Sequence, residues 1–460
     1  MSELQDFLSD KAAELEVPGA TAGVLLDGEE HTAFSGVTSV ENPLDVDAST
    51  LFQFGSTGKT YTATAMLRLV DRGQVDLDAP VRTYVPELAL KDSDAAERVT
   101  VLQLFNHTAG WQGDSIKDTG DGDDALAVYV ADMADLEQVS PLGTAVSYNN
   151  ASLSLAGHVI ARVTGTTYEK AVRELLFEPL GMDMTFFTPN EVMSRRFVVG
   201  HTKHDDGRIT VSRPWAMPRS AAPAGGMSAT VGDQLTWARF HLGDGTAKDG
   251  TRVLPAELLA RMQEPTVDMA GSALGDAVGI GWLLKDVQGT RVVGHGGTTN
   301  GQYSDFDLVP SRGFGVTCLS NCGPNGSQLN HAVTSWALEH YLGLKEEDLV
   351  AVDRSDAELA EFTGHYETIA YGIDVTAVRG QLEAAIEYKP ETLRALRESG
   401  DDEPEDQPPY RLGLLAGSDR YVLTAGPAAG MRGYFARDDD GRVSALHLGG
   451  RLASRVPVPA

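Results

Sequence analysis

Strand-like segments lie at both ends of the first 343 residues, and this placement limits the fold more than any other feature. Alternating apolar and β-branched residues at 21–26 and 32–37 flank Asp27-Gly28, a dipeptide typical of a hairpin turn. These strands need partners, and the next strand-like runs are far downstream, at 281–287, 291–294, 303–309 and 315–319. We therefore expect one antiparallel sheet built from both ends of this region.

Between those ends the apolar residues recur at helical spacing, with Gly73 and Gly165 placed where helices would stop. The stripe residues are Tyr61, Ala65, Leu69, Ala151, Leu155, Val159 and Val163. Stripes of this kind are core positions. The middle of the chain is therefore predicted to be a mainly helical subdomain.

The composition changes after Leu344, where an acidic connector at 345–348 precedes short strand-like segments. These segments lie at 372–378, 381–387, 420–424 and 443–448. Their spacing predicts a small antiparallel β-barrel or sandwich. The predicted units are a first domain at 1–343, a linker at 344–356 and a β module at 357–460. Acidic residues and prolines at 398–409 predict a mobile solvated loop.

The charge of the chain limits its partners. Asp and Glu number 66 against 37 Lys and Arg, which gives a formal net charge of −29. Nucleic acid is therefore excluded as a partner. Such a surface repels itself at low ionic strength and is screened in concentrated salt, so we expect a salt-rich cytosol.

The chain shows no sign of membrane insertion or secretion. No run of about 20 apolar residues occurs, and the N-terminus lacks a basic start followed by an apolar stretch. A cytoplasmic protein without membrane contact is expected, and homo-oligomerisation is left open. The two cysteines, Cys318 and Cys322, exclude a disulfide scaffold, and free, half-buried thiols are expected.

The first candidate for chemistry is Ser56, in the run Phe54-Gly55-Ser56-Thr57-Gly58-Lys59. It follows a strand-like segment and opens a helical stretch, and Lys59, three residues on, shares its helix face. A cation in the first turn and a glycine inside the helix each weaken that helix by up to about 1 kcal/mol. Such violations of local preference are typical of functional sites. The alternative is that Ser56 is a simple N-cap and Lys59 is solvated.

The second candidate is Tyr148, in Ser147-Tyr148-Asn149-Asn150, directly before the predicted helix at 151–163. To accept a proton at neutral pH, Tyr148 would need its pKa, ordinarily about 10, lowered by cations such as Lys59. The alternative is that Tyr148 is a packed aromatic residue and Asn150 is an N-cap.

The third candidate is His295, in Gly294-His295-Gly296-Gly297-Thr298 at the end of a predicted strand. Gly296 and Gly297 would let a substrate backbone approach the sheet edge. His295 can be charged or neutral near physiological pH and could orient a substrate carbonyl or carboxylate. The alternative is a histidine in a turn.

These three runs resemble the Ser-x-x-Lys, Tyr-x-Asn and Lys/His-x-Gly motifs of class C β-lactamases, DD-peptidases, D-aminopeptidases and related esterases. The runs at 104–111 and 223–228 are also similar to family loops. The resemblance implies an α+β fold, in which an α/β sandwich with an antiparallel sheet stands beside an all-helical subdomain. The β module resembles the lipocalin-like additions of some D-aminopeptidase relatives, which shape or plug the cleft.

The resemblance also implies roles for the candidate residues. Ser56 attacks the carbonyl with Lys59 against it, and Tyr148 acts as general base and later as acid. Asn150 orients Lys59 or the substrate. The backbone N–H groups of Ser56 and Thr298 form the oxyanion hole.

Substrate contacts are expected from Gly296, Gly297, Trp111 and Asn300, although the pocket itself does not follow from the sequence. His295 replaces the usual lysine, so a permanent cation for an antibiotic carboxylate is missing. This departure favours a peptidase, D-aminopeptidase or esterase acting on small amides or esters over a β-lactamase or DD-carboxypeptidase.

Two other functional classes are disfavoured by the sequence. A catalytically silent sensor or binding protein would keep the pocket, but the intact Ser56, Lys59 and Tyr148 disfavour it. A metallo-hydrolase is disfavoured because His201 and His204 lack further ligands at recognisable spacing and are predicted to lie on a surface loop. No metal or other cofactor is expected.

Overall fold

The computed structural model describes residues 2–399, 408–426 and 428–456. Its α-helices are α1 (Ser2–Glu14), α2 (Gly58–Asp71), α3 (Ser93–Arg98), α4 (Val101–Phe105), α5 (Ala125–Asp132), α6 (Asn150–Thr164), α7 (Tyr168–Val172), α8 (Glu178–Leu180), α9 (Pro189–Val192), α10 (Ala222–Gly225), α11 (Val231–Leu242), α12 (Ala256–Met262), α13 (Asn325–Leu342), α14 (Asp356–Leu359) and α15 (Pro390–Ser399).

The strands before the linker are β1 (Gly19–Leu26), β2 (Glu29–Gly36), β3 (Phe52–Gln53), β4 (Thr185–Phe186), β5 (His201–Lys203), β6 (Ile209–Val211), β7 (Ser228–Ala229), β8 (Val267–Ser272), β9 (Gly275–Val278), β10 (Leu283–Val287), β11 (Thr290–Gly294), β12 (Gly297–Thr298), β13 (Tyr303–Val309), β14 (Phe314–Ser320) and β15 (Cys322–Gly323). Those after it are β16 (Gly364–Glu367), β17 (Tyr371–Val378), β18 (Gln381–Tyr388), β19 (Tyr410–Leu414), β20 (Arg420–Leu423), β21 (Arg432–Arg437), β22 (Val443–Leu448) and β23 (Arg451–Arg455).

The main sheet joins both ends of the first region, as the sequence predicts. Its nine strands run β2-β1-β14-β13-β11-β10-β9-β8, with β12 paired to β13, and every pairing is antiparallel. The early hairpin meets the late strands where β1 pairs with β14, Ala20 facing Ser320. The predicted turn at Asp27-Gly28 has positive φ at both residues, the geometry of a tight hairpin.

Helices cover both faces of this sheet. Apolar residues of α1 and α13 form one core with β1 and β14. A larger core on the other face includes residues of α2, α6 and α11 and of β13, and it continues into the helical middle of the chain. The predicted sandwich with a helical subdomain is therefore confirmed.

The β module is a closed antiparallel barrel of the eight strands β16 to β23, with β16 paired to β23. Aliphatic and aromatic side chains, among them Ile373, Leu382 and Phe435, fill its interior. The chain before the barrel lies on its surface, because Val352 N donates to Leu414 O at 2.9 Å.

Several local expectations need correction. Residues 201–204 are not a surface loop: His201 lies in β5, is buried, and uses both ring nitrogens in hydrogen bonds to backbone groups of Val40 and Asn321. Cys318 and Cys322 are free, but both are buried rather than half-buried. Most of the loop predicted at 398–409 lies outside the described residues. None of the described helices is long and apolar enough to span a membrane.

Candidate active site

Ser56 lies in a tight helical turn, Gly55–Thr57, that leads directly into α2. Thr57, the residue after Ser56, hydrogen-bonds this turn to the main sheet. Thr57 Oγ1 donates to His295 O at 2.9 Å and lies 2.8 Å from Ser304 Oγ. Ser304 Oγ in turn donates to Phe54 O at 2.7 Å. These bonds fix the nucleophile candidate against the strand that carries the His295 motif.

Two glycines allow β12 and the Ser56 turn to touch. A Cβ on Gly55 would stand 2.5 Å from Thr298 N, and a Cβ on Gly297 would stand 2.7 Å from Ser56 N. Gly55 also has φ +50°, which side-chain-bearing residues rarely adopt. The backbone N–H groups of Ser56 and Thr298, the predicted oxyanion donors, therefore belong to segments in direct contact.

Lys59 is buried beside the serine, with 1% of its surface exposed. Its Nζ lies 2.9 Å from Ser56 Oγ and donates to Ala224 O, at the end of α10, at 2.6 Å. Burial, followed by the nearby charge of Arg451, holds the pKa of Lys59 well below its usual value of 10.5. The lowered pKa makes the neutral amine of Lys59, whose lone pair can accept a proton, more accessible than in a solvated lysine.

Tyr148 covers the lysine. Lys59 Nζ lies 4.9 Å from the centre of the Tyr148 ring, and Tyr148 is 5% exposed. Burial raises the pKa of Tyr148 above 10, against the lowering effects of a hydrogen bond with Ser56 and of the Arg451 charge. The lowered pKa that Tyr148 would need to accept a proton at neutral pH is therefore not produced, because desolvation outweighs the nearby cation. Tyr148 is a protonated phenol at neutral pH.

His107 holds the loop that carries Tyr148. Its ring lies 4.4 Å from the Tyr148 ring, and its Nδ1 accepts from Asn149 N at 3.1 Å. Its carbonyl accepts from Ser147 N at 3.0 Å. Burial and the nearby Lys59 hold the pKa of His107 well below 6.5, so the imidazole stays neutral.

His295 is a buried neutral histidine. Burial, together with Lys59, lowers its pKa from 6.5 to about 3. Its Nδ1 lies 2.6 Å from Gly296 O and so carries the proton, while the buried Nε2 has no partner within the described part of the chain. Of the two states predicted for His295 near physiological pH, charged and neutral, the lowered pKa favours the neutral one. It presents an acceptor, not a cation.

The barrel places an arginine paired with Asp114 beside Tyr148. Arg451, after the turn between β22 and β23, donates from Nε and Nη2 to the two carboxylate oxygens of Asp114, at 2.9 Å each. Its guanidinium carbon lies 4.7 Å from the centre of the Tyr148 ring. The same turn holds the Tyr148 backbone, since Tyr148 N donates to Gly450 O at 2.9 Å and Leu452 N donates to Ser147 Oγ at 3.3 Å.

Asn150 joins this ion pair rather than the lysine. Its Nδ2 donates to Asp114 Oδ1 at 3.1 Å. The side chain that caps α6 belongs to Asn149, whose Oδ1 accepts from Ser152 N at 2.8 Å. The alternative assignment of Asn150 as the N-cap is therefore wrong by one residue. Of its two predicted partners, Lys59 or the substrate, the Asn150 amide binds Asp114 rather than Lys59, and its role toward a substrate stays a prediction.

Trp111 does not line a pocket. It is 0% exposed and belongs to the hydrophobic core of the helical region. Asn149 Nδ2 donates to its carbonyl at 2.7 Å, so the loop of Trp111 packs beneath the Tyr148 loop. Asn300 Nδ2 donates to Pro214 O at 2.8 Å, and Gly296 and Gly297 remain partly exposed beside His295. Their roles in substrate binding stay predictions.

Sequence reasoning missed Asp114, Arg451 and the supporting role of His107. Asp114 and Arg451 are 337 residues apart and meet only through folding, so no local pattern could pair them. One signal was available for the turn itself, because Gly449-Gly450 between apolar strand residues is typical of a tight hairpin.

Comparisons with known proteins agree with this geometry. A family model described as Beta-lactamase matches residues 4–338. Penicillin-binding protein 4 of Amycolatopsis lactamdurans is 37% identical over 313 residues, which are 67% of this chain and 82% of that protein. A β-lactamase of Lysobacter lactamgenus is 28% identical over 241 residues, which are 52% of this chain and 60% of that enzyme.

Solved structures match the chain including its barrel. The crystal structure of SurE is 25% identical with a TM-score of 0.78, and that of SurE with D-Leu is 26% identical with a TM-score of 0.77. Each covers 99% of both chains. The octameric penicillin-binding protein homologue from Pyrococcus abyssi, 22% identical, covers 95% of this chain and 96% of its own with a TM-score of 0.65, a likeness of fold.

Proposed function

The chain belongs to the beta-lactamase family, and from that premise we propose that it is a serine hydrolase that forms an acyl-enzyme with small amide or ester substrates. Members of this family are serine hydrolases. The observation that carries the proposal is the contact between Ser56 Oγ and the buried Nζ of Lys59, 2.9 Å apart beside two converging backbone segments. A nucleophile, a base and candidate oxyanion donors thus lie together.

The lowered pKa of Lys59 and the raised pKa of Tyr148 support different roles for these two residues. Neutral Lys59 accepts the proton of Ser56 while Oγ forms a bond to the substrate carbonyl carbon. The carbonyl oxygen becomes an oxyanion, which the N–H groups of Ser56 and Thr298 stabilise. The bond to the leaving nitrogen or oxygen then breaks, and that atom takes the proton from Lys59 through the Tyr148 hydroxyl. Water attacks the ester on Ser56, releases the acid and restores the serine.

We propose peptidase, D-aminopeptidase or esterase activity ahead of β-lactam hydrolysis. His295 is neutral and Arg451 is already paired by Asp114, which disfavours recognition of an antibiotic carboxylate by either residue. The likeness to the structure of SurE with D-Leu favours a substrate that contains a D-residue. The second candidate is a β-lactamase or DD-carboxypeptidase, which the 37% identity to a penicillin-binding protein favours.

A panel of three substrates separates these activities. We would measure initial rates with a D-alanyl anilide, a short-chain nitrophenyl ester and a chromogenic cephalosporin, with Ser56→Ala as the blank and with EDTA-treated enzyme as a further arm. The proposal expects Ser56-dependent turnover of the anilide or the ester, unchanged by EDTA. Turnover of the cephalosporin alone would favour the second candidate, and EDTA-sensitive turnover would contradict both.

A catalytically silent binding protein is the candidate from another class. The burial of Lys59, Tyr148 and His295 favours it, since buried side chains are less accessible to a substrate than exposed ones. Absence of turnover in the panel, with reversible binding of the same compounds, would support this candidate over the hydrolase.

We further propose that the protein works in a salt-rich cytosol. The net charge of −29 and the two free thiols support this setting. Thermal stability should rise with KCl beyond about 0.2 M, and a maximum below that concentration would contradict the proposal. The division into units at 1–343, 344–356 and 357–460 and the formation of homo-oligomers also remain proposals.

A further inference from the structure

The His295 ring carries a hydrogen-bond acceptor that none of the described residues satisfies. Its Nδ1 lies 2.6 Å from Gly296 O, and because a carbonyl oxygen can only accept, Nδ1 holds the proton. Burial and the nearby Lys59 lower the pKa of His295 to about 3, so Nε2 is unprotonated at neutral pH. This buried nitrogen therefore presents a lone pair and no proton.

Hydrogen bonds hold this acceptor in one orientation. His295 N donates to Phe306 O at 2.9 Å, and His295 O accepts from Thr57 Oγ1 at 2.9 Å. The ring is held by the bond from its own Nδ1 to Gly296 O, which would break if the ring turned over. The lone pair of Nε2 is thus directed before any ligand binds.

The acceptor belongs to the same cluster as the nucleophile. The centroid of the His295 ring lies 6.0 Å from that of the Tyr148 ring. Lys59 Nζ lies 4.9 Å from the Tyr148 centroid and 2.9 Å from Ser56 Oγ. Thr57, whose hydroxyl group binds His295 O, directly follows Ser56 in the chain. The histidine and the serine are therefore grouped around one tyrosine ring.

An unpaired lone pair selects its ligand by the presence of a proton. Leaving a buried acceptor unsatisfied costs free energy, and a bound N–H group recovers it. A carbonyl oxygen or a carboxylate brings only lone pairs, which Nε2 repels. Gly296 and Gly297 beside the ring are partly exposed and have no side chain, so the main chain of a substrate can approach there.

The position of that N–H group in the substrate follows from the proposed reaction. The leaving nitrogen or oxygen receives its proton through the Tyr148 hydroxyl, so this atom is already served. An N–H that meets His295 must then lie on the other side of the scissile carbonyl, in the part of the substrate that stays on Ser56.

We propose that His295 Nε2 accepts a hydrogen bond from the nitrogen next to the acyl carbonyl, on the residue that becomes attached to Ser56. This assignment rests on the proposed function and names its substrate class, which is aminoacyl compounds whose α-nitrogen keeps a proton, as an amide or as an ammonium group. Analogues with oxygen in place of that nitrogen are then discriminated against. His295 becomes a determinant of specificity.

The test compares the nitrophenyl esters of N-acetyl-D-alanine and of O-acetyl-D-lactic acid, which differ only in N–H against oxygen. The measured quantity is the ratio of their kcat/KM values for nitrophenol release, with Ser56→Ala protein as the blank. His295→Phe keeps a planar ring without the lone pair and should lower the ratio at least about tenfold. His295→Gln keeps an acceptor oxygen and should retain more of the ratio than His295→Phe. His295→Lys replaces the acceptor with a donor and should lower the ratio furthest.

His241→Phe is the matched control. His241 lies in α11, is buried against Trp237 and Trp282, and also has an Nδ1 without a partner in the described structure. Burial lowers its pKa to about 3, as for His295. This variant should keep the wild-type ratio. A fall of less than tenfold in folded His295→Phe protein, or an equal fall in His241→Phe protein, would overturn the inference and leave the hydrolase proposal standing.

If neither ester is hydrolysed in a Ser56-dependent way, the hydrolase proposal fails instead. The inference is then tested by calorimetric binding of N-acetyl-D-alanine amide and O-acetyl-D-lactic amide to Ser56→Ala protein. A preference for the N–H compound that disappears when His295→Phe is added would support it. Equal affinity for both amides would overturn it.

Discussion

Replacing Gly297 with alanine should disable acylation without unfolding the protein. Gly297 is the point at which β12 touches the Ser56 turn, and its added Cβ would stand 2.7 Å from Ser56 N. Phe54 O lies even closer and is held in place by Ser304 Oγ, so it cannot simply turn away. Real Cβ atoms essentially never approach another atom within 3.0 Å, so relieving the contact with Phe54 O requires the two backbones to separate by about 1 Å.

The expected loss of acylation rate depends on how far this separation displaces the proposed oxyanion donors. As the proposed oxyanion donors, Ser56 N and Thr298 N can reach one oxygen only while the segments touch, and loss of one such donor lowers kcat by about 10² to 10³, or about 2.7–4 kcal/mol. KM should change less, because the donors act on charge that develops in the transition state. The assay is the burst of nitrophenol from a short-chain nitrophenyl ester, which reports acylation directly.

Gly232→Ala is the matched control. Gly232 lies in α11, and a Cβ there would meet Thr230 Oγ1 at 3.8 Å, an ordinary contact. This variant should acylate like wild type and melt at an equal or slightly higher temperature. The reasoning would be refuted if folded Gly297→Ala protein acylated within about threefold of the wild-type rate.

Three other perturbations test the electrostatics of the site and of the sheet. If neutral Lys59 is the base, kcat/KM should fall as the pH drops through the lowered pKa of Lys59, which gives the pH-rate profile an acidic limb. His295→Gln should leave this limb at the same pH, because the pKa of His295 is already about 3. A limb that shifts in the His295→Gln variant would contradict the assignment of Lys59 as the base. Arg451→Met removes a positive charge that lowers the pKa of Lys59 and leaves Asp114, whose charge raises that pKa, without its partner. The pKa of Lys59 should therefore rise, and the acidic limb of the pH-rate profile should move to higher pH. A shift of the limb to lower pH would contradict the assignment of Lys59 as the base. Burial raises the pKa of Asp305, on the sheet face toward Cys318, from 3.8 to about 8, so the folded protein loses stability as pH rises through this range. Asp305→Asn should therefore gain in urea midpoint over wild type between pH 5 and pH 9, and a gain that shrinks with pH would refute the sign.

Local patterns predicted much of the fold. The hairpin at Asp27-Gly28, the late strands and the helix after Ser56 are each recognised from apolar periodicity and from turn residues only a few positions apart. Local sequence patterns detect features over this range. Strands β8 and β9 were missed, since Gly271 interrupts β8 and the register shifts between Asp268 and Ser272. The irregular pairing hides the alternation on which strand prediction depends.

The site was predictable in its residue types and not in its electrostatics. Ser56, Lys59, Tyr148 and His295 converge as the motif order suggested, but the pKa of each titratable group among them follows from burial, which depends on the whole fold. The same limit applies to Trp111: an aromatic residue in a loop has the appearance of a pocket wall until the packing buries it.

The central claim is that Ser56 is the acylated nucleophile, and intact-protein mass spectrometry with peptide mapping tests it most directly. Folded protein in high salt is treated with a fluorophosphonate and, separately, with a penicillin. One adduct per chain is predicted, on the peptide that contains Ser56 and absent from Ser56→Ala protein. Failure of both reagents to modify folded protein, or an adduct that persists in Ser56→Ala protein, would contradict the claim.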